Sequence, residues 1–73
     1  MLSLSANDVY PRAQQALAGS PIYELRDLQV EQRDGALLIS GVVSSFYHKQ
    51  LAQEVVRRLD GVEIVVNEIE VDS

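Results

Sequence analysis

The period of the apolar residues changes along the chain and divides it into five predicted elements. In residues 7–18 apolar residues recur every three or four positions, which is typical of an amphipathic helix. The apolar positions of this first helix are Ala6, Val9, Tyr10, Ala13, Ala16 and Leu17. Asn7 or Asp8 can cap the helix, and Gly19 can end it because the following Pro21 prevents continuation.

The next two segments predict a pair of strands joined by a tight turn. Residues 24–33 place Leu28 and Val30 on one face and polar residues on the other, as in a half-buried strand. Asp34 and Gly35 predict a two-residue hairpin turn, because glycine accepts the positive φ that such turns require. Residues 36–43 are nearly all apolar, which favours a central strand. Gly41 within that run indicates the close approach of another segment.

The rest of the chain predicts a second helix and a third strand. Ser44 or Ser45 can cap a helix that runs to about Asp60. Its predicted buried side carries His48, Leu51, Ala52, Val55 and Leu59. Residues 62–71 alternate again, which predicts a strand. One face of this strand carries Val65, Asn67, Ile69 and Val71, and the other carries Ile64, Val66, Glu68 and Glu70.

This order of elements predicts an α+β fold. The short turn makes the first two strands antiparallel, and a right-handed helical crossover makes the third strand parallel to the second. We expect an α-β-β-α-β two-layer sandwich, with a three-stranded mixed sheet and two helices on one face. Residues 1–73 then form a single domain, in which we expect residues 1–6 to be flexible.

Composition excludes several classes of function. A chain of 73 residues is one domain, and 47% hydrophobic residues is typical of a globular fold. The net charge of -5 argues against a nucleic-acid partner, whose phosphates require basic surfaces. The absence of cysteine excludes disulfides and thiolate metal sites. No apolar run approaches the roughly 20 residues that span a bilayer.

The side chains that could carry catalysis are few. His48 lies on the predicted buried face, where we interpret it as a packing or capping group rather than a general base. The carboxylates of the first and third strands, which include Glu24, lack the spacing of a calcium loop and are interpreted as a solvated, edge-protecting set. We therefore predict no enzyme activity, no cofactor, no metal and no small-molecule substrate.

A set of residues from Leu28 onward has the joint spacing of a known family. The set comprises Leu28, Val30, Gly35, Leu37, Ile39, Ser40, Gly41, Val43, Ser45, Ala52, Gly61, Val62, Val65, Asn67, Ile69 and Val71. In this spacing the chain resembles the BON domain, named for bacterial OsmY and nodulation proteins. The resemblance implies the same α-β-β-α-β layout and a binding module, often periplasmic or in the cell envelope, with phospholipid surfaces or neighbouring protein domains as ligands.

Two surfaces are candidate binding sites. Strand alternation points Leu38, Val42, Ile64 and Val66 away from the helices, which predicts an association surface for a protein partner or a second copy of the chain. The alternative is that the N-terminal Met1 and Leu2, or an adjacent side chain, cover this face.

The second candidate surface is the start of the second helix. Phe46, Tyr47 and Lys49 form an aromatic and basic set that can contact a phospholipid surface or a partner's pocket. The residues themselves favour a hydrophobic staple instead, in which Phe46 folds back over Val43 or Gln50. We expect a cytoplasmic location if Met1 is the native start, and an envelope or periplasmic one if the sequence is part of a longer secreted chain.

Overall fold

A computed structural model of the chain describes residues 6–72, with side chains from Val9 onward. The elements are α1 (Ala6–Ala18), a 3-10 helix (Tyr23–Asp27), β1 (Gln29–Arg33), β2 (Ala36–Val43), α2 (Phe46–Arg57) and β3 (Ile64–Val71). The predicted α+β fold and its α-β-β-α-β order are confirmed. Most of the segment predicted to be flexible lies outside the described residues.

The sheet has the predicted mixed topology. Its strand order is β1-β2-β3, with β1 antiparallel and β3 parallel to β2. Asp34 and Gly35 form the hairpin turn, and both have positive φ, 52° and 82°. Both helices cover the face that carries the buried Leu37, Ile39 and Ile69. The opposite face of the sheet, termed the outer face below, has no fully buried residue.

The core consists of aliphatic side chains. Its buried members are Val9, Ala13, Leu17, Leu25, Leu28, Val30, Leu37, Ile39, Val43, Ala52, Val56 and Ile69. The four aromatic residues of the chain are all exposed, with fractions of 38% for Tyr10, 75% for Tyr23, 74% for Phe46 and 69% for Tyr47. Aromatic side chains usually contribute much of a core's buried area, whereas here they lie on the surface, where they can contact a ligand.

Gly41 in β2 allows the sheet and the segment before β1 to pack closely. Its φ is 137°, and a Cβ atom at this position would lie 2.6 Å from Cδ2 of Leu28. The predicted close approach at Gly41 is therefore confirmed. Leu28 is in turn buried in the core, so the absence of a side chain at Gly41 leaves room for a core residue.

The prediction of a strand over residues 24–33 is wrong in its first half. Residues 23–27 form the 3-10 helix, and only Gln29–Arg33 pair with β2. The hydroxyl of Ser20 accepts a hydrogen bond from the Ile22 amide at 3.0 Å, and Arg26 Nε donates to the Ser20 carbonyl at 2.9 Å. These bonds hold a compact turn that inserts Leu25 into the core.

The ends of three other elements also differ from the predicted ones. α1 begins at Ala6, so the caps predicted at Asn7 or Asp8 fall inside the helix. α2 ends at Arg57 rather than near Asp60, because the Leu59 amide bonds to the Val56 carbonyl in a tighter turn. β3 starts two residues later than predicted. No helix in residues 6–72 is long and apolar enough to cross a membrane.

Candidate functional site

The outer face of the sheet carries an apolar patch centred on Leu38. Leu38 of β2 lies between Glu31 of β1 and Val66 of β3. In the next row towards the hairpin, Ile64 pairs with Ala36. Ile64 and Val66 are 54% and 38% exposed, and Leu38 is half-buried. Leu38 therefore faces away from the helices, as predicted. We refer to Leu38, Ile64 and Val66 as the outer-face patch.

Val42 lies on the same face but is separated from this patch. It is 58% exposed and pairs with Glu70. Between Val42 and Leu38 lies a polar row, in which Ser40 pairs with Gln29 on one side and Glu68 on the other. Four residues along a strand cover roughly 13 Å. The four residues predicted as one surface therefore form a three-residue patch and a separate Val42.

The start of α2 exposes two aromatic side chains. Ser45 caps the helix, because its Oγ accepts a hydrogen bond from the His48 amide at 3.2 Å. Phe46 and Tyr47, the first two helical residues, are 74% and 69% exposed. Phe46 does not pack against the core, so the predicted staple over Val43 is wrong. The helix phase turns Phe46 away from the core, where Val43 is already buried by other side chains. Lys49 is half-buried.

A carboxylate joins this helix start to the 3-10 helix. Glu24 Oε1 accepts a hydrogen bond from the Ser44 amide at 3.0 Å and lies 2.7 Å from His48 Nδ1. The pKa of Glu24 is held below its ordinary value, chiefly by the hydrogen bonds from Ser44 and then by the one from His48. The interpretation of Glu24 as a solvated strand acid is thus wrong. No local pattern in the sequence links residues so far apart.

The contact with Glu24 brings a third aromatic residue to the same end of the domain. Tyr23 is 75% exposed and directly precedes Glu24, which is bonded to Ser44 and His48. The Arg26 guanidinium lies 5.6 Å from the centroid of the Tyr23 ring. We refer to Tyr23, Phe46 and Tyr47 as the aromatic end. The sequence pattern placed only Phe46 and Tyr47 there.

A polar contact on the core side of β3 fixes the position of α2. Asn67 Nδ2 donates to the Lys49 carbonyl at 3.0 Å and to Gln53 Oε1 at 3.1 Å. Asn67 Oδ1 accepts from the Ile69 amide at 3.1 Å. Gln53 of α2 is half-buried at this contact. The Asn67 side chain therefore positions α2, which carries Phe46 and Tyr47 of the aromatic end.

The polar groups near Glu24 are arranged for structure rather than for nucleophilic catalysis. Both Ser44 and His48 bond to the carboxylate of Glu24. A nucleophilic triad needs the imidazole between the hydroxyl and the carboxylate, so that it can accept the hydroxyl proton. Within residues 6–72, no three or more His, Cys, Asp or Glu side chains gather as a metal site.

Comparison with known proteins identifies a family for this chain. Residues 12–73 match the family model of the BON domain, a binding-type domain without a catalytic role. The match therefore covers everything from the second half of α1 to the end of the chain. No curated protein matches the chain. The chain belongs to the BON domain family.

Proposed function

We propose that the chain is a non-enzymatic binding module that packs its outer-face patch against the same patch of a second copy. The observation that carries this proposal is the pairing of Leu38 with Val66 beside the exposed Ile64. Contiguous apolar side chains on an uncovered sheet face are typical of association surfaces. Both helices occupy the other face, so within the described residues no element covers this one.

The charges around the patch favour a second copy as the occupant. Arg33 lies at one corner of the outer face and Glu68 at the diagonally opposite corner, with Leu38 between them. A two-fold axis between two such faces can place Arg33 of each copy over Glu68 of the other, with the strands crossing near right angles. Orthogonal packing of two sheets is a common arrangement in proteins.

The size of the face sets the expected strength of association. Three strands of up to eight residues cover on the order of 400 Å² per copy. Stable interfaces bury about 800 Å² per partner. We therefore expect a weak dimer that forms at high protein concentration.

Light scattering behind a sizing column tests this proposal. The weight-average mass of the wild type should rise above the monomer value as concentration increases, and Leu38→Glu should stay monomeric. Val42→Glu is the matched control, because it adds the same charge to the same face outside the patch. A wild type that remains strictly monomeric at high concentration, with Leu38→Glu unchanged from it, overturns self-association.

A second candidate function is supported by the aromatic end. Binding of a phospholipid surface is a ligand class associated with BON domains. Phe46 and Tyr47 protrude from the first turn of α2, and interfacial aromatic side chains insert at the boundary between headgroups and acyl chains. Because the chain carries a net charge of -5, we expect binding to anionic vesicles to be no tighter than to zwitterionic ones.

Co-sedimentation with vesicles tests the second candidate. The wild type should sediment with vesicles of phosphatidylcholine, both with and without phosphatidylglycerol. Phe46→Ser should weaken binding to these vesicles roughly tenfold. Tyr10→Ser is the control, because Tyr10 is an exposed aromatic residue on α1, outside the aromatic end. If the wild type does not sediment with either vesicle, or if Phe46→Ser binds as well as wild type, the lipid proposal is wrong.

A further inference from the structure

The outer edge of β1 presents unpaired backbone groups. In a hairpin with a two-residue turn, the residues that flank the turn form a hydrogen-bonded pair, here Arg33 with Ala36. The pairing then alternates, so the N–H and C=O groups of Val30 and Gln32 point away from β2. β1 is an edge strand, and the structure gives these groups no partner within residues 6–72.

A shallow, open cleft lies beside these unpaired groups. Its volume is about 300 Å³, and it is lined by Tyr10 of α1 and by Val30, Glu31 and Gln32 of β1. Tyr10 is 38% exposed, so its ring offers an apolar wall next to the strand edge. A strand edge flanked by a helix is the arrangement in which several domains bind an extended peptide as an added strand.

We propose that β1 binds an extended, basic peptide segment of another protein by strand addition at Val30 and Gln32. The peptide backbone would form up to four hydrogen bonds with the N–H and C=O groups of these two residues. Its side chains that point to the helical side would contact Tyr10, and those on the outer face would lie next to Glu31. This site is separate from the outer-face patch and from the aromatic end.

Charge favours a basic peptide over a second copy at this edge. Glu31 is exposed, and its contact with Arg33 at 2.7 Å is a surface ion pair, which competes only weakly with a new cation. Two copies pairing through both Val30 and Gln32 would place Glu31 opposite Glu31, and like charges in that position are destabilising.

The test is a titration of the ¹⁵N-labelled protein with a capped eight-residue peptide of alternating lysine and valine. The amide signals of Val30 and Gln32 should shift and their hydrogen exchange should slow. A peptide with glutamate in place of lysine should bind at least about tenfold more weakly. Because the Gln32 amide points outward, Gln32→Pro removes that donor without breaking a hydrogen bond to β2 and should lower affinity roughly tenfold, whereas Gln32→Ala should bind as wild type.

A second variant tests the cleft while leaving the sequence of β1 unchanged. Tyr10→Ala removes the wall of the cleft without touching the strand, and it should also weaken binding of the lysine-valine peptide. The proposal is overturned if millimolar peptide leaves the Val30 and Gln32 amides unchanged, or if the shifts fall on the outer-face patch or the aromatic end instead. It is equally overturned if protein concentration alone protects these two amides.

Discussion

Glu24 and His48 are 24 positions apart in the chain, and Glu24 Oε1 lies 2.7 Å from His48 Nδ1. The same oxygen accepts a hydrogen bond from the Ser44 amide. One carboxylate thus connects the 3-10 helix to the first turn of α2. Because Tyr23 precedes Glu24 and Phe46 follows the capping Ser45, this contact determines how the aromatic end is assembled.

The Glu24 contact predicts a defined dependence of stability on pH. Its lowered pKa in the folded state means that the stabilisation is fully present above the ordinary value of 4.5 and is lost as pH falls through the folded value. We expect the free energy of unfolding of the wild type to decrease more steeply below pH 4.5 than that of Glu24→Gln. Urea denaturation between pH 7 and pH 3 measures this difference.

Glu54→Gln is the control for that measurement, because Glu54 is an exposed carboxylate on α2 that does not bond to Ser44 or His48. Its curve should run parallel to that of the wild type. If the Glu24→Gln curve also runs parallel to the wild-type curve, the carboxylate does not stabilise the fold in the way described.

Asn67 is expected to be the most sensitive polar position in the domain. Asn67→Ala removes the hydrogen bonds to the Lys49 carbonyl and Gln53 and leaves the Ile69 amide without its acceptor. We expect a loss of about 2 to 3 kcal/mol in the free energy of unfolding, against about 1 kcal/mol for Gln53→Ala, which loses a single neutral bond. Chemical denaturation of both variants decides; equal losses contradict this account.

Gly41→Ala is expected to destabilise the domain by about 2 to 4 kcal/mol. The new Cβ would overlap Leu28 Cδ2, and the φ of 137° is unfavourable for any L side chain. Gly35→Ala is the matched control. It also has a positive φ but no neighbouring atom within 4 Å, so about 1 kcal/mol is expected. Thermal unfolding that ranks Gly35→Ala as the more damaging change contradicts the packing at Gly41.

Truncation of a side chain on the core face of β2 should destabilise the domain more than truncation on its outer face. Leu37 is 4% exposed, so Leu37→Ala should cost about 2 to 5 kcal/mol. Leu38→Ala, on the outer face, should cost less than about 1 kcal/mol. Urea denaturation of the two single variants at low protein concentration, where association is absent, provides the comparison. Similar losses at both positions would mean that Leu38 is covered.

The elements of the fold are predictable from the sequence because their periodicity is local. Alternation in residues 62–71 places Val65 and Ile69 towards the helices, and the Asp34 and Gly35 turn fixes the antiparallel pair. The 3-10 helix is not predictable in this way. Leu28 and Val30 alternate as in a strand. The hydrogen bonds of Ser20 and the distant partners of Glu24 nevertheless hold residues 23–27 in the 3-10 helix, so that β1 begins only at Gln29.

The candidate surfaces are only partly predictable. Alternation shows which residues face outward, but not which residues of neighbouring strands share a row. Ser40 lies between Leu38 and Val42 on β2 itself, and the register adds Gln29 and Glu68 to its row, which makes that row polar and divides the predicted surface. The membership of Tyr23 in the aromatic end depends on the contact of Glu24 with α2. The bearing of Met1 and Leu2 on the outer face lies outside the described residues.

A dilution series followed by ¹⁵N-¹H correlation spectra tests the central claim most directly, because it locates any interface as well as detecting it. As the protein concentration rises, we expect the amide signals of Leu38, Ser40 and Val66 to shift together, and we expect Leu38→Glu to abolish these shifts. Spectra that are independent of concentration, or shifts confined to α1 or to the aromatic end, would contradict the use of the outer-face patch.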